Sequence, residues 1–73
     1  SVYIKAVLPE HLQGGVNVKI CNSSGKIISD FNYETIGGFP IRLDIRKLRK
    51  GSYIAVFTNI MSGQTGSCSF IVN

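Results

Sequence analysis

Acidic side chains and histidine are scarce in this sequence. Its 73 residues include four acidic side chains and a single histidine, so few groups are available for general acid–base catalysis. His11 falls in a polar loop, where we expect an exposed side chain. No spacing brings two carboxylates together among Glu10, Asp30, Glu34 and Asp44. We therefore predict no catalytic residues and a protein that is not an enzyme.

Cysteine is limited to Cys21 and Cys68, which lie far apart in two predicted strands. They show neither a metal-ligand spacing nor a C-x-x-C redox motif, so we predict no metal site and no cofactor. A disulfide between strands would fit an oxidising compartment, while two free thiols would serve as small apolar side chains. The predicted strand faces favour free thiols, since the two cysteines fall on opposite faces.

Long apolar runs and helical periodicity are also absent. No run approaches the ~20 apolar residues that a membrane-spanning helix needs, so we predict no membrane span. Hydrophobic residues make up 44% of the chain and charged residues 16%, which excludes a disordered segment. The chain begins without a signal peptide, so we expect a processed secreted protein or a module of a longer one. Residues 1–73 are expected to form one domain.

The formal net charge of +4 raises the question of nucleic-acid binding. The basic residues cluster on one predicted strand and the turn after it, at Arg42, Arg46, Lys47, Arg49 and Lys50. Aromatic residues are not interleaved with them as in single-strand binders. We interpret the cluster as a solvated strand face that discourages edge pairing, and we predict no nucleic-acid partner.

Residues 41–58 organise the rest of the chain as strand, corner and strand. Apolar and polar residues alternate along 41–45, which is typical of a half-buried strand. A second run rich in β-formers begins at Tyr53. The spacing between the runs predicts a tyrosine corner, whose hydroxyl bonds to upstream backbone, at Leu48, Gly51 and Tyr53.

Similar patterns predict the other strands of the chain. With the strand at 41–45, the predicted strands are 1–8, 16–21, 26–33, 53–58 and 67–72. In the third strand Ile27, Phe31 and Tyr33 would face the core, and Ser29 breaks that face, which indicates a bulge or an edge position. Short strands at this spacing predict an all-β, antiparallel immunoglobulin-like or fibronectin-III-like sandwich of six to seven strands.

The sequence also predicts the form of two of the connections between strands. Residues 22–25 predict a hairpin turn with Gly25 at positive φ, although Asn22 also begins an N-x-S glycosylation pattern. We favour the turn. Gly37 and Gly38 give freedom to the crossover after the third strand, where we expect Phe39 to cap the open end of the core.

Alternation also predicts an apolar surface. If Tyr53 points inward, Ile54 and Val56 point outward, as do Tyr3 and Val7 on the first strand. If these strands are neighbours, the four residues form one patch that docks another domain or a second copy of the chain. The alternative is that the loop at 59–66 covers Ile54 and Val56.

The runs NVKICNSSGKIISDF and IRLDIRKLRKGSYIAVF together resemble a known pattern. It is found in C-terminal sorting domains of the type IX secretion system and in small secreted immunoglobulin-like domains of similar bacteria. The resemblance covers residues 16–57. The matching positions are Val18, Ile20, Gly25, Lys26, Ile27, Ile28, Leu43, Asp44, Ile45, Leu48, Gly51 and Tyr53.

Two departures from the sorting-domain pattern favour a stand-alone domain. Sorting domains usually carry an early Asn-Pro, where this sequence has Leu8 and Pro9, and tend to end in basic residues. The resemblance implies a bacterial protein that is secreted, periplasmic or at the cell surface. Our first hypothesis is a non-catalytic interaction module with a protein partner or neighbouring domain, of uncertain oligomeric state. The second is a sorting domain of a larger secreted protein.

Overall fold

The computed structural model describes residues 3–35 and 40–73, apart from the His11 side chain. Six strands and one short 3-10 helix, Glu10–Leu12, make up its regular structure. The strands are β1 Tyr3–Ala6, β2 Gly15–Asn22, β3 Ile27–Glu34, β4 Ile41–Asp44, β5 Gly51–Asn59 and β6 Thr65–Val72. All pairings are antiparallel. The predicted all-β, immunoglobulin-like sandwich is confirmed.

The two sheets differ in size. One contains four strands in the order β3-β2-β5-β6, and the other contains only β1 and β4. Each central strand of the larger sheet alternates buried and less buried residues, because one face packs on the core and the other faces solvent. The buried apolar core consists of Leu8, Leu12, Val16, Val18, Ile20, Ile41, Leu43, Tyr53, Ala55 and Phe57.

Strand β3 carries an irregularity that reverses part of its predicted face. Ile20 pairs with Ser29, but the next residue, Cys21, pairs with Ile27, so Ile28 is left over. An extra residue shifts the side-chain alternation by one position. Ile27 therefore lies beside the outward Cys21 and is 50% exposed, so its predicted place in the core is wrong. Phe31 and Tyr33, beyond the bulge, pack partly buried against the core as predicted.

Turn chemistry explains the β2–β3 hairpin. The Asn22 side-chain oxygen accepts hydrogen bonds from the Ser24 and Lys26 backbone N–H groups, both at 3.0 Å. Gly25 has φ +84°, a conformation that glycine adopts without the strain of a Cβ. The predicted turn is therefore present. The crossover predictions for Gly37, Gly38 and Phe39 lie outside the described residues.

Asn59 holds the turn between β5 and β6 to the segment that leads into β2, at the same end of the larger sheet. Its amide nitrogen donates to the Gln13 carbonyl at 2.9 Å, and its amide oxygen accepts from the backbone of Met61 and Ser62 at 2.9 and 3.0 Å. Asn59 is the buried polar residue among those described. Its satisfied hydrogen bonds fix the turn on the body of the domain.

Candidate functional site

The segment between β4 and β5 has the geometry of a tyrosine corner. The Tyr53 hydroxyl donates to the Arg49 carbonyl oxygen at 2.5 Å. The Tyr53 ring is buried and stacks on Phe70, with ring centroids 5.6 Å apart. Leu48 packs partly buried on the core, and Gly51 has φ +153°, which favours glycine. These three residues position the turn by which the chain enters the larger sheet.

The four residues of the predicted apolar surface lie on two different sheets. Tyr3 and Val7 belong to β1 and the residue after it, and are 42% and 77% exposed. Ile54 and Val56 lie on β5, which pairs with β2 and β6 and not with β1. The condition for one patch, that these strands are neighbours, is therefore not met, because alternation identifies a face and not a neighbouring strand. Ile54 is 48% exposed, so the 59–66 loop does not cover it.

A different apolar row forms on the outer face of the larger sheet. The register places Ile27 beside Cys21, and Cys21 beside Ile54. The bulge in β3 creates this row, because it turns Ile27 outward. Sequence alternation alone missed it, since the left-over residue Ile28 is visible only in the strand register.

The smaller sheet presents a charged outer face, formed by Tyr3, Lys5, Arg42 and Asp44, which we call the β1–β4 outer face. Tyr3 lies opposite Asp44, and Lys5 lies opposite Arg42. Lys5, Arg42 and Asp44 are all exposed. The face thus contains two cations directly across the strand pair from each other.

Asp44 is held by Arg46, two residues along the chain. The Arg46 guanidinium donates to both carboxylate oxygens, with Nη2 to Oδ2 at 2.7 Å and Nε to Oδ1 at 3.0 Å. These hydrogen bonds lower the pKa of Asp44 and raise the pKa of Arg46. The guanidinium carbon also lies 5.9 Å from the Tyr3 ring centroid, in cation–π range.

The cysteines face opposite sides of the larger sheet. Cys21 pairs with the outward Ile54, whereas Cys68 pairs with Ala55, which is buried in the core. Both are free thiols. Partial burial raises the pKa of the Cys68 thiol. A bridge between Cys21 and Cys68 would require the backbone to move.

A groove of about 530 Å³ runs between the end of β1 and β6. Residues 5–9 form one side and residues 65–68 the other, with the buried Leu12 and Phe57 also lining it. Cys68 faces this space, which accounts for the exposure of a residue on the core side of its strand.

The acidic residues do not converge. Asp30 and Glu34 lie on β3, and Asp44 lies on β4 in the other sheet. Asp30 accepts a hydrogen bond from the Asn17 amide at 2.8 Å and lies 3.9 Å from the Lys19 ammonium group. Within residues 3–35 and 40–73, no three metal-ligating side chains form a group. No helix in this part of the chain has the length and apolarity to cross a membrane.

Comparison with protein families gives a match over almost the whole sequence. The model of the family described as "Secretion system C-terminal sorting domain" matches residues 2–73. The match extends the resemblance from 16–57 to almost the entire sequence, and it includes both departures, Leu8–Pro9 and the end of the chain. Neither the curated proteins nor the solved structures gave a match.

Proposed function

Because the chain belongs to the secretion system C-terminal sorting domain family, we propose that it is the sorting signal of a larger exported protein. In this role the domain is a folded address that a bacterial type IX secretion machine recognises. The observation that carries the proposal is the family match over residues 2–73. The stand-alone interaction module, which was our first hypothesis from the sequence, has no comparable support.

The positions shared with the sorting-domain pattern are mainly folding residues. Val18, Ile20 and Leu43 are buried, and Gly25 and Gly51 have positive φ. A pattern of this kind specifies a shape and not a linear recognition peptide. The proposal therefore includes recognition of the folded sandwich, with its exposed faces as the surface that is read.

A sorting role also fits the chemistry of the domain. The family is not a catalytic one. The acids Asp30, Glu34 and Asp44 are distributed over two sheets, which does not supply the converging groups that catalysis requires. We propose on this basis that the domain is not an enzyme and needs no cofactor.

A sorting domain implies that the protein carrying it is secreted or displayed at the cell surface. Passage through the periplasm, and recognition there by a protein partner, are parts of the proposal. Nucleic acid is not a proposed partner, because the sorting-domain family gives no support for one.

An export assay tests the proposed function. The 73-residue domain would be fused behind a fluorescent reporter with a signal peptide and expressed in a bacterium that has a type IX system. We expect the fusion to reach the medium or the cell surface in the intact strain and to be retained in a strain without the secretion machine.

Two variants make the assay specific for the folded domain. Leu43→Asp puts a charge at a fully buried position and should abolish export, because the sandwich cannot accommodate an unpaired carboxylate. Ser69→Asp adds the same charge at an exposed position and should be exported like the parent. Retention of the parent fusion, with the domain folded, would contradict the proposal.

A further inference from the structure

We propose that the β1–β4 outer face, centred on Lys5 and Arg42, binds an acidic segment of a protein in the export machinery. This inference rests on the proposed sorting function and names the kind of partner that reads the folded domain. From sequence, the basic residues here were expected only to keep a strand face solvated. The register of the small sheet adds an observation that solvation does not explain.

That observation is a like-charged cross-strand pair. Lys5 lies directly opposite Arg42, so both side chains project from the same face. Directly opposite residues have Cβ atoms about 5 Å apart, and like charges at this separation destabilise a sheet. An acidic residue at either position would replace this repulsion by an attraction. Their juxtaposition therefore favours the approach of an anion between them.

Among the residues that the structure describes, no carboxylate fills this position. Neither Lys5 nor Arg42 makes an ion pair with any residue in the described part of the chain. Asp44, the acid on the same face, is engaged by Arg46 through its two carboxylate oxygens. The other acids are Glu10, Asp30 and Glu34, of which the last two lie on β3 in the other sheet.

Three further cations continue the positive charge beyond β4. Lys47, Arg49 and Lys50 are exposed in the corner segment, and none of them forms an ion pair with a residue that the structure describes. The corner is fixed in place by the hydrogen bond from Tyr53 to the Arg49 carbonyl oxygen. This hydrogen bond holds the cations of the corner close to the start of β5.

The form of the face fits a short acidic polypeptide, and the proposed sorting function implies a protein partner. The strands contribute four residues each, a length of about 13 Å, which fits a short segment. The planar Arg42 guanidinium can receive a carboxylate through two parallel hydrogen bonds.

A charge reversal at Lys5 separates binding from folding. Lys5→Glu converts the repulsive pair with Arg42 into an attractive one, so the variant should melt at or above the temperature of the parent. Lys26→Glu is the matched control for binding, because it makes the same charge change at an exposed residue in the β2–β3 turn, away from the small sheet. The probe is a fluorescent 20-residue poly-glutamate peptide, titrated at low salt and followed by anisotropy.

We expect Lys5→Glu to weaken poly-glutamate binding at least tenfold and Lys26→Glu to weaken it less than threefold. Arg42→Gln should also weaken binding more than Lys26→Gln. Equal losses for the variants on the two sheets would show that only net charge matters and would overturn the proposal. The proposal would also fail if the binding of anionic phospholipid vesicles or heparin depended on Lys5 and Arg42 while the binding of poly-glutamate did not.

The export assay then distinguishes the two levels of the argument. If the parent fusion is not exported, the sorting function itself fails. If the parent and Ser69→Asp are exported and folded Lys5→Glu is retained, the result supports this face as the one that the export machinery recognises. Export of folded Lys5→Glu at the parent level would overturn this inference and leave the sorting function intact.

Discussion

The hydroxyl group of Tyr53 donates a hydrogen bond to the carbonyl oxygen of Arg49, which lies four residues earlier, at a distance of 2.5 Å. This bond closes the turn through which the chain passes from the small sheet to the large one. The ring of Tyr53 is at the same time buried and stacked on Phe70. One side chain thus fixes the corner and fills part of the core.

Removal of the Tyr53 hydroxyl should destabilise the domain without opening a cavity. We expect Tyr53→Phe to lower the free energy of unfolding by about 1–3 kcal/mol, because the Arg49 carbonyl loses its partner in a partly buried place. Urea denaturation followed by circular dichroism measures the change. Tyr33→Phe is the control, since the Tyr33 hydroxyl makes no hydrogen bond with a described residue, and it should unfold like the parent. Equal stability of all three proteins would show that the corner bond contributes nothing.

The stability that is lost when a leucine is truncated to alanine should increase with the burial of that leucine. Leu43 is fully buried, so Leu43→Ala should cost roughly 2–5 kcal/mol through lost contacts and a cavity. Leu48 is only partly buried at the corner, so Leu48→Ala should cost less, about 1–2 kcal/mol. Thermal and chemical denaturation of both variants test the order. A larger loss of stability in Leu48→Ala would contradict this order and show that the corner contributes more to stability than the centre of the small sheet.

The Asp44–Arg46 pair predicts a specific acid dependence of stability. The hydrogen bonds from Arg46 hold the pKa of Asp44 below its ordinary value of 3.8 in the folded state. The contribution to stability is therefore present above that value and is lost as the pH falls through the lower, folded-state pKa. We expect Asp44→Asn to be less stable than the parent at pH 6, with the difference shrinking as the pH falls toward 2.

A double-mutant comparison checks the cause of that dependence. If the Arg46 guanidinium lowers the pKa of Asp44, Arg46→Gln should reduce the pH-dependent difference between Asp44 and Asn at position 44, while the hydrogen bond from the backbone N–H of residue 46 remains. NMR titration of the Asp44 carboxyl carbon gives an independent measure. An unchanged titration in Arg46→Gln would contradict the assignment. The pair is exposed, so high salt should also reduce its effect.

The cysteines should remain unpaired within one chain under oxidising conditions. Cys21 and Cys68 lie on opposite faces of the four-stranded sheet, beside Ile54 and Ala55 respectively. Alkylation of the unfolded protein without reductant should therefore add two alkyl groups per chain, as measured by intact mass. In the folded protein, Cys68 should react slowly near neutral pH, because burial raises the pKa of its thiol. A chain that takes up no alkyl group would show a bridge.

The sequence predicted what depends on local alternation. Val16, Val18 and Ile20 are buried as the period of two requires, and Gly25 adopts the positive φ that the hairpin requires. The break at Ser29 correctly indicated a bulge or an edge position, but it did not show which residue is left over, so Ile27 was assigned to the wrong face. Asn59 was missed because its partner Gln13 is distant in sequence.

The candidate surfaces depend on which strands are neighbours, and this the sequence did not provide. Tyr3 and Val7 could be recognised as outward, as could Ile54, but their assignment to different sheets follows from long-range pairing. The Lys5–Arg42 pair could not be predicted from the sequence for the same reason, because the two residues meet only through the pairing of β1 with β4. The family, in contrast, was recognisable from short motifs, since these are made of turn and core residues.

The pairing of β1 with β4 also has a consequence for the order of folding. Ala6 meets Ile41 and Tyr3 meets Asp44, so this sheet closes a loop that contains all of β2 and β3. Closing a long loop costs entropy, and an isolated two-stranded sheet is only marginally stable in water. Strands β1 and β4 should therefore join last, onto the hairpins β2–β3 and β5–β6, and their amides should exchange first. The surface that carries Lys5 and Arg42 comes into existence only when folding is complete, so a receptor that binds it would act on finished domains and ignore nascent ones.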